Sequence, residues 1–139
     1  MKVTSAQINE IAQMLEGGMF VYINRETFEM EFIPDLDDFG DSELWEELHN
    51  KVTEEWNSLV IEPMETWESF KIMENFIYEL PDKKFQQNLI EILNRKRPFA
   101  HFKAAIDNSD YRQQWFDFKE KMYEEYVKQQ LEAEHIEFE

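Results

Sequence analysis

From Thr66 to the C-terminus, apolar residues return at every third or fourth position, and only Pro81, Pro98 and the pair Asn108-Ser109 interrupt the rhythm. That spacing sets one side of each helix against a core and leaves the rest to water. Trp67, Phe70, Met73, Ile77 and Leu80 line the first helix, with Ile72 and Phe76 widening the stripe. Pro81 stops it, and Asp82 caps a second that carries Phe85, Leu89, Ile92 and Leu93. Pro98 suits the first turn of a third, with Phe99, Phe102 and Ile106 inward. The last helix runs from about Asp110 into the mid-130s with Tyr111, Trp115, Phe118, Met122, Tyr126 and Leu131 along one seam. Phe70, Met73, Ile77, Phe99, Phe102, Trp115 and Phe118 are expected to share a core.

The N-terminal part reads differently. Thr4 or Ser5 can cap a short helix whose Ile8, Ile11, Ala12 and Leu15 face inward, and Gly17-Gly18 ends it. Residues 19–23 read as a strand, 24–27 as a turn, and Phe28 to Phe32 alternates apolar with acidic. The expected hairpin buries Phe28, Met30 and Phe32 and shows Glu29 and Glu31 to water. Pro34 ends it. An acidic loop from Asp35 to Asp41 follows, then a helix from about Ser42 with Trp45, Leu48, Val52 and Trp56 on one stripe. Ser58 to Ile61 is expected to be a third strand, pairing with the hairpin edge. The fold expected is α+β: a small three-stranded antiparallel sheet near the N-terminus packed against five or six helices, in a single domain over residues 1–139.

Composition narrows the function classes. Cysteine is absent, which excludes disulfides, thiolate metal sites and a cysteine nucleophile. Three glycines, Gly17, Gly18 and Gly40, cannot build a phosphate-cradling loop or a dinucleotide fingerprint. No serine has a nucleophile-elbow context. No apolar stretch is long enough to cross a bilayer, and the N-terminus lacks a secretory pattern, so a cytoplasmic location and no membrane partner are expected. Catalytic residues are not identifiable; an enzyme would need an unrecognised carboxylate site.

The formal net charge is −17. Residues 1–70 carry three basic residues against seventeen acids, net −14, and residues 71–139 carry eleven against fourteen, net −3. Such a field favours a basic partner and disfavours nucleic acid and anionic lipid. Glu29, Glu31, Asp35, Asp37, Asp38 and Asp41 are therefore the candidate acidic interaction residues. The bland alternative is that the charge only keeps a Phe-rich chain dissolved.

Two metal readings fail on inspection. Asp35, Asp37, Gly40, Glu43 and Glu46 stand where a calcium loop needs oxygen ligands and its glycine, but Phe39 occupies the fifth position and no helix precedes the loop. Glu46 with His49 and Glu132 with His135 imitate the Glu-x-x-His pairs of di-iron bundles. Glutamate makes up 23 of 139 residues, frequent enough for such pairs to arise by chance. No cofactor or metal is expected.

The basic cluster Arg95-Lys96-Arg97, followed by Phe99, Phe102 and Lys103, can grip a phosphate backbone and stack on bases. Three cations at a helix C-terminus are also what the helix dipole favours. This segment carries the alternative reading, a nucleic-acid-associated protein.

Residues 67–77 (Trp-Glu-Ser-Phe-Lys-Ile-Met-Glu-Asn-Phe-Ile), 97–103 (Arg-Pro-Phe-Ala-His-Phe-Lys) and 115–119 (Trp-Phe-Asp-Phe-Lys) resemble the successive signatures of a bacterial family, uncharacterised protein family 0158. Ala100 and Ala104 stand where that family carries more charge, which counts against a charged binding site at this motif. The resemblance implies a fold and carries no activity, cofactor or partner. From the residues themselves, a non-enzymatic adaptor or regulator binding a basic protein partner is expected, as a monomer or small homo-oligomer.

Overall fold

The computed structural model describes residues 1–36 and 43–139. These form a three-stranded antiparallel sheet and six α-helices. The chain divides into two compact units, Met1–Met64 with Tyr123–Glu139, and Glu65–Met122.

The first unit opens with α1, Ser5–Glu16. Thr4 forms a capping box: its hydroxyl accepts from Gln7 N at 3.1 Å, and Thr4 N donates to the Gln7 side chain at 2.9 Å. Ile8, Ile11, Ala12 and Leu15 are buried as their spacing requires. Gly18, at φ 88°, turns the chain into β1, Phe20–Asn24. β1 is the central strand, between β2 (Met30–Ile33) and β3 (Ser58–Ile61). Val21, Tyr22, Ile23 and Asn24 are all buried, so both faces of this strand are covered. The third strand thus pairs with the first strand of the hairpin, opposite β2.

The hairpin corrects one expectation. Phe28 is not in a strand: it sits in the left-handed region at φ 63°, its N–H donating to the Asn24 carbonyl at 2.8 Å. The Asn24 side chain accepts from Glu26 N at 2.9 Å and Thr27 N at 3.4 Å. These bonds close a longer turn than the residues suggest, and pairing begins only at Met30. Met30 and Phe32 are half-buried, and the fully covered residue is Ile33.

α2, Glu43–Asn50, has no buried residue of its own and runs into one π-helical turn, Lys51–Glu55. Val52 in that turn is buried with Tyr22 and Ile33, and Trp45, Leu48 and Trp56 pack on them, so the expected stripe holds. The end of α6 (Arg112–Ala133) completes this unit by burying Tyr123, Val127 and Leu131 at four-residue steps. The expected Met122 and Tyr126 are only half-buried. Val3 bridges Phe138, with Glu139 N donating to Val3 O at 2.9 Å.

The second unit holds α3 (Thr66–Tyr78), α4 (Lys83–Leu93), α5 (Pro98–Asp107) and the start of α6. Asp82 caps α4, accepting from Lys84 N and Phe85 N at 3.1 Å each. Phe76, Phe102 and Trp115 make its centre: Trp115 lies 5.2 Å from Phe76 and 5.0 Å from Phe102, both edge-on. Two expected core residues are corrected. Trp67 is 62% exposed and donates to the Glu65 carboxylate at 2.6 Å. It precedes Phe76 by nine residues, roughly two and a half helical turns, so the two point to opposite sides. Phe99, in the first turn of α5, remains 39% exposed, with its ring edge-on to half-buried Phe70.

Candidate functional site

Charge divides more sharply between the two structural units than between the two halves of the sequence. The unit made of residues 1–64 and 123–139 holds twenty-one acidic residues against four basic, net −17. The unit 65–122 holds ten of each, net zero. Six acids of the C-terminal segment, Glu124 to Glu139, join those of the N-terminal residues.

Within the acidic unit, Glu29 is exposed at the end of the hairpin turn. Glu31 is half-buried on β2 and pairs with Lys51 at 3.5 Å, the Lys51 ammonium lying 5.0 Å from the Trp56 ring centre. Asp35 is half-buried. Asp37, Asp38 and Asp41 lie outside the described residues, as does Gly40, so half of the twelve-residue calcium-loop spacing falls there. Glu43, Glu46 and Glu47 are exposed on α2. Among the described residues no group of three His, Asp or Glu side chains is placed to hold a metal ion, and no helix is long and apolar enough to cross a membrane.

A cleft of about 130 Å³ opens beside Asp35, lined by Phe20, Tyr22, Ile33, Pro34, Leu36 and His49. His49 reaches it from α2 and meets the Tyr22 ring edge-on at 6.2 Å. Neither residue carries a sequence signal for this role: Tyr22 is one residue of an apolar strand, and His49 stands three residues after Glu46. Burial of Tyr22, and secondarily the Glu62 carboxylate, raises its hydroxyl pKa above 10.0. A raised acid pKa favours the neutral form in the fold, so this contribution is intact below pH 10 and is lost as pH climbs from there through the folded value. Tyr22→Phe should therefore flatten the loss of urea stability as the pH rises above 10. Identical alkaline slopes in the two proteins would show that another group causes the loss.

In the neutral unit, Arg95, Lys96 and Arg97 are exposed between α4 and α5. Arg95 faces Glu91 at 3.7 Å; Lys96, Arg97 and Lys103 have no ion pair among the described residues. A shallow groove of about 90 Å³ runs between α3 and α4, with Phe70, Ile77, Tyr78, Ile90 and Leu93 in its lining. The acidic and basic candidate residues thus belong to different units.

No curated protein and no solved structure matches the chain. A family model described as uncharacterised protein family (UPF0158) matches residues 4–139, which include the Trp67, Phe99 and Trp115 segments. With nearly its whole length matched, the chain belongs to uncharacterised protein family UPF0158.

Proposed function

We propose that the protein is a non-enzymatic interaction protein whose acidic unit binds a basic protein partner. The observation that carries this reading is the partition of charge, −17 in one unit and zero in the other. Concentrated like charge is self-repulsive and costs stability, whereas a solubilising charge works as well when spread over the whole surface. A partner with complementary cations associates fast, and its affinity falls as salt shortens the Debye length below ~8 Å.

The test is recovery of partners by the tagged protein at low and high salt, compared with a variant in which Asp35, Asp37, Asp38 and Asp41 are all asparagine. The variant should lose most of the salt-sensitive partners while its melting temperature stays the same or rises. Unchanged partners with unchanged salt dependence would reduce the acidic surface to a solubility device. A second reading, nucleic-acid association through the segment from Arg95 to Lys103, is favoured by Lys96, Arg97 and Lys103 lacking ion pairs among the described residues beside half-exposed Phe99. Recovery abolished by nuclease, and by Arg97→Ala, would favour it over the first.

A further inference from the structure

We infer that the groove between α3 and α4 is a second docking surface, which takes an amphipathic α-helix of a partner protein with acidic residues at one end. This is independent of the acidic-unit reading above, because every residue involved belongs to the other unit. Two observations carry it: an apolar stripe that this unit leaves open, and unpaired cations gathered at one end of that stripe.

Trp67, Phe70, Glu74 and Ile77 recur on α3 at three- and four-residue steps, and Tyr78 lies beside Ile77, so they share one side of the helix. Ile90 and Leu93 of α4 form the facing wall of the groove. Its volume of about 90 Å³ fits one branched apolar side chain. The stripe continues past the groove in both directions, because Trp67 is 62% and Tyr78 73% exposed. From Trp67 to Tyr78 the helix rises roughly 16 Å, about three turns. A helix of similar length laid along it would bury a row of apolar side chains spaced three and four apart.

Charge selects which helix fits. The segment Arg95-Lys96-Arg97 connects Asn94, in the groove lining, to α5, whose Phe99 ring meets Phe70 edge-on at 6.4 Å. Lys103 is one turn from Phe99 on the same side of α5, and Lys71 follows Phe70. Lys71, Lys96, Arg97 and Lys103 are exposed and have no ion pair among the described residues. The acids at this end are engaged: Glu91 faces Arg95 at 3.7 Å, Glu68 accepts from Glu65 N at 3.1 Å, and Glu65 accepts from the Trp67 indole at 2.6 Å. At the far end Lys83 and Lys84 are matched in number by Glu79 and Asp82. Complementary carboxylates are therefore called for at the Phe70 and Phe99 end. Single-stranded nucleic acid would also answer the cations. It would set its phosphates beside Glu74, and Ile77, Ile90 and Leu93 give its bases no ring to stack on.

The experiment is an NMR titration of the full chain with four probes: the helix EELAALLAQLLA, its neutral form QQLAALLAQLLA, the rearranged EELALALALALQ, whose leucines share no helical face, and single-stranded oligothymidine. The acidic helix should bind most tightly and move the signals of Phe70, Ile77, Tyr78, Ile90 and Leu93. Replacing both Lys96 and Arg97 by glutamine should weaken it about fivefold, the size of two exposed ion pairs, and leave the neutral helix unchanged. Replacing Lys83 and Lys84 by glutamine should change it less than about twofold. Tyr78→Ala should weaken both helices, and its exposed position keeps the melting temperature near that of the parent protein. Four results overturn the inference: no binding of the acidic helix, equal binding of the rearranged peptide, equal binding of the neutral helix, or oligothymidine moving the same signals more tightly than any peptide. Each leaves the acidic-unit reading standing, since recovery of basic partners through the other unit is measured separately.

Discussion

Phe102→Ala should cost about 3–5 kcal/mol of stability, the loss typical of truncating a buried aromatic residue. Phe102 is 1% exposed, the largest of the fully covered side chains, and its ring meets Trp115 at 5.0 Å. Removing it opens a cavity that Trp115 and the neighbouring helices cannot fill without leaving their rotamers. In thermal melts the expected drop is roughly 10–20 °C. Phe99→Ala is the matched control, because Phe99 is three residues away on the same helix and was expected from its spacing to be equally inward. With its ring already half in water, it should cost about 1 kcal/mol or less. Losses of equal size in the two variants would mean that the ring stack of Phe76, Phe102 and Trp115 is not the centre of this unit.

The second large effect is expected at Ile23. It is 0% exposed on the central strand, opposite Met30 of β2 on one side and Leu59 of β3 on the other. Ile23→Ala should destabilise by about 2–5 kcal/mol. Val60, on the neighbouring strand at 41% exposure, should tolerate the same truncation within about 0.5–1 kcal/mol. Urea midpoints of the two variants measure the contrast. A Val60→Ala loss as large as that of Ile23→Ala would require the outer face of β3 to be covered, contrary to the burial pattern of that strand.

The site was legible only in part. Charge composition pointed to Glu29, Glu31 and Asp35, and the structure places all three in the acidic unit. It could not show that Glu31 is already engaged by Lys51, because that pair spans twenty residues and depends on the π-helical turn after α2. The cleft had no local signal either. Phe20, Tyr22 and His49 come from a strand and a helix some thirty residues apart, and nothing in either segment marks them as neighbours.

Local physical chemistry accounts for the elements that are legible in the residues alone. Thr4 and Asp82 carry the side-chain oxygens that cap helices, Pro98 opens one because its missing N–H costs nothing in a first turn, and the stripes of Leu89, Ile92, Leu93 and of Ile8, Ile11, Leu15 carry the helical period. Those features fix where elements form and roughly which side turns inward. Tertiary structure decided how far inward, and with whom. Trp67 and Phe99 lie on or near apolar stripes yet end in water, because periodicity specifies a direction and not the reach of the core. Phe28 left the strand because Asn24 bonds to the turn that follows it. The concentration of all the net charge in one unit arose in the same way: burial of Tyr123, Val127 and Leu131, together with the Val3 to Phe138 bridge, returns the C-terminal glutamates to the acidic N-terminal residues, a long-range pairing that no local pattern encodes.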